Sequence, residues 1–222
     1  MNPILAAVFV MAIQSGTAPK LDHIMLGAPD LDRAVAAFLW ATNVAPIRGG
    51  MHPGRGTQNA LVSLGDGTYL EIIAPSKEKT DDELVSMLRK LDGLTPVGWA
   101  LRVSDAGAVR AELLKQNIEV TPLEPGSRIT PTGERLSWMT FDVEGFESAP
   151  FFVEWDKTSR HPSTTSPGGC TIKTFSVADP RGAELLSALR AIGADTVVGV
   201  SEKAMISVTL QCGKRTATFA TH

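Results

Sequence analysis

Two stretches of this chain repeat one another, and the repeat constrains the fold more than any single motif. His23–Asp32, HIMLGAPDLD, lies over Trp99–Ala108, WALRVSDAGA, and Tyr69–Ile73, YLEII, lies over Phe152–Asp156, FVEWD. In this overlay His23 falls on Trp99 and Glu71 on Glu154. The interval between the copies grows along the chain, which a longer loop in the second copy accommodates. Self-similarity of this length implies one supersecondary unit used twice.

The first copy is legible element by element. Leu21–Pro29, LDHIMLGAP, reads as a strand whose alternation puts Asp22, Ile24 and Leu26 on one face and His23, Met25 and Gly27 on the other. Asp30 is a helix N-cap, followed by Leu31, Val35, Phe38 and Leu39 at helical spacing. Ile47–Gly50 reads as a short strand. A Gly-rich loop carrying His52 and Arg55 leads into strands Thr57–Leu64 and Thr68–Ile73, joined by Gly65-Asp66-Gly67, a strong hairpin signal. Residues 21–75 are therefore a βαβββ unit. Thr80-Asp81-Asp82-Glu83 reads as a capping box opening a connecting helix to about Leu91 within residues 76–96.

The second unit spans residues 97–156. It has a strand at Val97–Val103, a helix capped by Ser104 or Asp105, a Pro- and Gly-rich loop with a short strand at Thr121–Thr132, and strands at Arg135–Val143 and Phe151–Asp156. Asn117 is a plausible helix stop. Residues 157–222 open with a polar loop, Lys157–Gly169. A third, smaller βαβββ-like unit follows: strand Cys170–Ala178, a helix capped by Asp179-Pro180, and strands Thr196–Val200, Ala204–Gln211 and Lys214–Ala220. The last two strands alternate and need cover for an apolar face, from a flank of the paired units or from a homodimer contact.

Composition removes some functions. The chain has 222 residues and a net charge of −3, with no basic run that would suggest nucleic acid. No apolar stretch is long enough to span a bilayer. Ile4–Ile13, ILAAVFVMAI, followed by small polar residues, resembles the apolar region and cleavage zone of a secretory signal peptide, although no Lys or Arg precedes it. Residues 1–20 are thus a signal or an N-terminal extension, and the location is exported or cytoplasmic accordingly. Cys170 and Cys212 sit at candidate strand ends. They read as two buried thiols, or as a pair if those strands are neighbours.

Chemistry centres on Glu71, a carboxylate amid Tyr69, Leu70, Ile72 and Ile73. An ionised group rarely enters an apolar strand without a partner. Arg102, Arg135 or Lys173 would serve as one in a bland reading. His52 and Arg55, in a flexible loop, suit contact with a substrate.

LDHIMLGAPDLD, GGMHPGRGTQNALVSLGDGTYLEIIAP and VGWALRV resemble the glyoxalase-like domain of the vicinal oxygen chelate superfamily. The resemblance implies an α+β fold: paired βαβββ modules with curled mixed sheets forming a cup. It also implies one divalent metal in the cup, chelated by a small substrate through two adjacent oxygens. By position the ligand sites become His23, Glu71, Trp99 and Glu154. Trp99 cannot ligate, because an indole N–H only donates. His23, Glu71 and Glu154 would hold zinc, iron(II) or manganese, with Trp99, Trp138 and Asn59 contacting substrate and Glu71, His52 and Arg55 in catalysis. The reactions this implies are of isomerase, lyase or dioxygenase type. The rival reading is a metal-free small-ligand binding or resistance-type protein using the same cup.

Overall fold

The computed structural model describes residues 18–78 and 80–221. The apolar N-terminal segment read above as a signal or extension lies outside them, as does His222. The first unit comprises β1 (Lys20–Gly27), α1 (Leu31–Thr42), β2 (Ile47–His52), β3 (Thr57–Gly65) and β4 (Thr68–Pro75). After α2 (Glu83–Leu88) the second repeats the order: β5 (Thr95–Arg102), α3 (Ala106–Lys115), β6 (Glu124–Ile129), β7 (Arg135–Asp142) and β8 (Phe151–Trp155).

The local causes match in the two units. Asp30 accepts from the Arg33 N–H and Asp105 from the Ala108 N–H, each satisfying a donor of a first helical turn. Asn43 and Asn117, at φ 60° and 58°, take the left-handed conformation that ends each helix. The connecting helix departs from expectation. Asp82, not Thr80, caps it by accepting from the Leu84 N–H, and it ends at Leu88 rather than near Leu91.

The eight strands close into a barrel in the order β1-β4-β3-β2-β6-β7-β8-β5. Within each unit the first and last strands pair in parallel and the others antiparallel, so the sheets are mixed and curled. The units join through a long antiparallel β1–β5 seam and, on the far side, through Met51 opposite Ile129 between β2 and β6. A barrel closed by two copies of one unit leaves its interior to inward-facing side chains, and the site is built there.

The remaining chain forms α4 (Pro162–Thr165), β9 (Cys170–Asp179), α5 (Gly182–Ala191), β10 (Val198–Val200), β11 (Met205–Cys212) and β12 (Arg215–Ala220). Its sheet, ordered β10-β9-β11-β12, lies across the outside of the barrel. Val208 and Leu210 pack with Ile24, Phe38, Leu70 and Ile72 of the first unit. Val177, Leu185 and Ile206 pack with Trp99, Leu101 and Phe152 of the second. The apolar face of β9–β11 is thus covered within the chain, and that face no longer calls for a second copy.

Two sequence expectations change here. Cys170 and Cys212 are not free thiols: β9 and β11 are neighbours, their register sets the two residues opposite one another, and they form a disulfide. Asp179 does not cap α5 in the expected way. Arg181 occupies the cap position without a side-chain bond. The Asp179 carboxylate instead accepts from the N–H groups of Arg181, Glu147 and Ser148 and from the Ser148 hydroxyl. Among the described residues, no helix is long and apolar enough to cross a membrane.

Candidate functional site

The barrel encloses a cavity of about 850 Å³. Strand alternation decides what faces it. β1 presents His23 and Met25, and β4 presents Tyr69, Glu71 and Ile73. From the second unit come Trp138 on β7 and Phe151, Val153 and Trp155 on β8. Leu88 of α2 packs with Met25 and Ile73.

Asp22 breaks the alternation. Leu21 pairs with Leu101 and His23 with Ala100, so Asp22 is the extra residue of a β-bulge. A bulge re-aims the side chain it carries. Asp22 is fully buried, and its Oδ1 accepts from His23 Nδ1 at 2.7 Å. Its Oδ2 accepts from His161 Nε2 at 2.8 Å and Trp155 Nε1 at 3.2 Å, with the Arg102 guanidinium 3.6 Å away. Burial by itself would raise the Asp22 pKa. The hydrogen bonds from His161 and His23, with their charge, outweigh it and hold the carboxyl well below the usual carboxylate range. An ionised Asp22 only accepts, so Nδ1 of His23 donates to it and Nε2 is turned to Glu71 and the cavity. The loop before α4 folds His161 onto the site, edge-on to Tyr69 and Trp155.

Glu71 is the centre of the wall, 6% exposed. His23 Nε2 lies 3.4 Å from its Oε2, and Asn59 Nδ2 donates to its Oε1 at 2.6 Å. His52 Nε2 stands 3.7 Å from the same Oε1. Burial would raise the Glu71 pKa, but the attraction of His23, that of His52 whenever it is protonated, the Asn59 hydrogen bond and the Arg128 guanidinium prevail, and the group is held below its ordinary value as a carboxylate. Burial lowers the His52 pKa against the opposing pull of Glu71, so this imidazole stays neutral. Its Nδ1 contacts Thr57 Oγ1 at 2.9 Å, and Asn59 Nδ2 approaches its Nε2 at 3.4 Å, which leaves Nε2 as the acceptor. Burial, followed by the nearby Asp22 and Glu71 charges, keeps the Tyr69 phenol protonated far above its usual range.

Sequence reasoning missed Arg128. It lies on β6, in the Pro- and Gly-rich stretch read as mostly loop, where the β6–β7 pairing sets it opposite Leu136. Its guanidinium reaches the cavity beside Asn59, with NH1 3.4 Å from Asn59 Oδ1. Two glycines make room for this wall. A Cβ on Gly49 would stand 2.7 Å from Arg128 NH1, and one on Gly126 would stand 2.1 Å from the Trp138 indole nitrogen. A signal was present: a lone Arg after Gly126-Ser127 in a stretch that alternates into the second unit's strand.

Other expected residues are placed as follows. Trp138 lines the cavity, packed on Trp155 with ring centroids 5.0 Å apart. Arg55 sits at the mouth, exposed, with Nε 3.1 Å from Asp82 and NH1 3.7 Å from Glu124, not in the Glu71 cluster. Trp99 faces away from the cavity. It is buried between the barrel and the outer sheet, donates Nε1–H to the Ser148 carbonyl at 2.8 Å, and meets Phe175 edge-on. Glu154 is outside as well, with Oε2 accepting from the Ala106 N–H at the start of α3.

Both misplacements have one cause. Aligning the helix caps Asp30 and Asp105 shifts the overlay by one residue in the first strand, and the strand pairing shifts it by three in the last; any odd shift on a strand changes the face. His23 then matches Gly98, and the parallel pairing of β5 with β8 sets Phe151 where Glu71 stands in the first unit. Neither offers a metal ligand. Among the described residues, no group of three or more His, Cys, Asp or Glu side chains is placed to hold a metal ion. The divalent ion implied by the resemblance, held by His23, Glu71 and Glu154, does not fit, and no step below passes through one.

None of the curated proteins matches the sequence. Among solved structures, a hypothetical protein from Staphylococcus aureus is similar over 91% of this chain and 85% of its own, with a TM-score of 0.62 and 17% identity. A methylmalonyl-CoA epimerase from Mycobacterium tuberculosis aligns over 66% of this chain and 92% of its own, with a TM-score of 0.44 and 20% identity. The family model described as a glyoxalase-like domain matches residues 21–193, which take in both barrel units and the start of the outer sheet. With paired βαβββ units closed around a cup and a family match over most of its length, the chain belongs to the glyoxalase-like domain family.

Proposed function

We propose that the chain is an acid–base enzyme of isomerase or lyase type, acting on a small substrate with adjacent oxygens. The observation that carries this is the buried Asp22–His23–Glu71 chain opening onto the cavity. Glu71, held ionised, is the proton acceptor. It takes a proton from a carbon beside a carbonyl, and the electron pair left behind passes to the carbonyl oxygen. Return of the proton to a neighbouring atom completes an isomerisation; loss of a leaving group completes an elimination. His23, oriented by Asp22, presents Nε2 to Glu71 and can carry the proton between steps. Asn59 fixes the carboxylate by donating to its Oε1, and the neutral His52 accepts from the same amide nitrogen.

The test is exchange of carbon-bound protons with deuterated water, followed by NMR, over small hydroxycarbonyl and dicarbonyl compounds. At least one compound should exchange faster with the protein. Glu71→Gln should slow it by about 10²–10⁴-fold, the usual worth of a positioned base. No exchange with any compound, or exchange by Glu71→Gln at the wild-type rate, overturns the reading. The wall of Trp138, Trp155 and Phe151 supports a second reading, metal-free ligand binding, which quenching of tryptophan fluorescence without exchange would select.

A further inference from the structure

Arg128 is the charged group of the cavity that the acid–base reading leaves without a task. It is 3% exposed. Its Nε is buried with no hydrogen-bond partner, and the contact to Asn59 Oδ1 is long at 3.4 Å. Among the described residues no carboxylate lies within ion-pair distance of it. Buried guanidinium groups are ordinarily paired, because removing the charge from water costs several kcal/mol that only a close anion offsets. The space around it is kept open by Gly49, whose Cβ would collide with NH1.

We propose that Arg128 binds the carboxylate of the substrate, so that the cavity takes a small monocarboxylic acid, an α-oxo or α-hydroxy acid. The planar fork of the guanidinium matches a carboxylate through two parallel N–H groups. Asn59 fixes the spacing: its amide nitrogen bonds Glu71 while its oxygen faces Arg128. A carboxylate on Arg128 thus sets the proton-bearing carbon, the α-carbon of a hydroxy acid or the β-carbon of an oxo acid, towards the Glu71 base; this clause rests on the acid–base reading above. Charge favours a monoanion over a phosphate dianion. Glu71 is ionised one side chain away, and the mouth carries Asp82 and Glu124 with Arg55 between them.

The test is titration calorimetry of the full chain with pyruvate, L-lactate and benzoate, each against its amide, and with inorganic phosphate. At least one carboxylate should bind, with its amide weaker by about tenfold or more, the loss expected for an unpaired buried charge. Arg128→Met should lose the same factor. Arg128→Lys, which keeps the charge but not the fork, should keep part of the affinity, and it carries the test if the methionine variant does not fold. Failure of all three carboxylates, equal binding of the amides, or unchanged binding by the Arg128 variants overturns the proposal. Phosphate binding as tight as the best carboxylate and equally dependent on Arg128 replaces it with a phosphate site. Glu71→Gln separates the two readings. Carboxylate binding through Arg128 without proton exchange in wild type sinks the acid–base reading alone. Glu71-dependent exchange that runs as fast on amides sinks this one alone.

Discussion

At the residue scale, the site shows how burial and neighbours set protonation. His52 is neutral because burial disfavours its cation, with its pKa lowered from 6.5. The unfolded chain takes up a proton near that value and the folded chain does so only at lower pH. The stability tied to His52 is therefore complete above pH 6.5 and is lost as pH falls below it. We expect the melting temperature of wild type to fall more steeply below this point than that of His52→Gln. The difference in slope should approach one proton, about 1.4 kcal/mol per pH unit. Thermal melts of both proteins from neutral to mildly acid pH measure it, and parallel curves would rule it out. Asp22 and Glu71 act lower down. Their folded pKa values are depressed below 3.8 and 4.5, so their contribution is present above those values and disappears as pH drops through the folded ones. Glu71 was legible in the sequence because an ionised group in an apolar strand is anomalous. Asp22 was not, because a bulge re-aims it and a bulge has no side-chain signature in a single strand.

At the element scale, the caps set the register. Asp30 and Asp105 start equivalent helices, and reading the repeat from them places Gly98 and Phe151 opposite His23 and Glu71. The second unit therefore contributes an apolar and cationic wall to a site whose buried carboxylates and imidazoles come mostly from the first. The same scale holds the junction to the outer sheet. Asp179 accepts from three backbone N–H groups and the Ser148 hydroxyl, while Ser148 also accepts from Trp99 through its carbonyl. Replacing Asp179 by alanine leaves buried donors unsatisfied and should cost about 2–3 kcal/mol. Asp156, whose carboxylate accepts from Thr158 at an exposed turn, is the control, with an expected cost within about 0.5 kcal/mol. Urea denaturation of both alanine variants makes the comparison; equal midpoints would refute it.

At the scale of the whole molecule, the outer sheet is part of the fold that holds the site. Val177, Leu185 and Ile206 share one core with Trp99 and Phe152, and Val208 and Leu210 share the other with Phe38 and Leu70. Fully burying each such side chain contributes about 1.5–3 kcal/mol. Removing residues 170–222 would expose the outer faces of both barrel units, so the truncated chain should aggregate. Soluble yield and cooperativity of unfolding test this, and a soluble, cooperatively melting truncation would contradict it. The sequence by itself determined the paired βαβββ units, their helix caps, the Gly65-Asp66-Gly67 hairpin and the shared inward face of His23 and Glu71. Those features rest on local periodicity and capping, which neighbouring residues specify. Only the tertiary structure decided that Trp99 and Glu154 face outward, that Asp22 and His161 serve His23, that Cys170 meets Cys212, and that Arg128 stands buried without an anion. The reason is physical: a strand's face changes with a one-residue shift, and the partners of a buried charge come from strands and loops far apart in the chain.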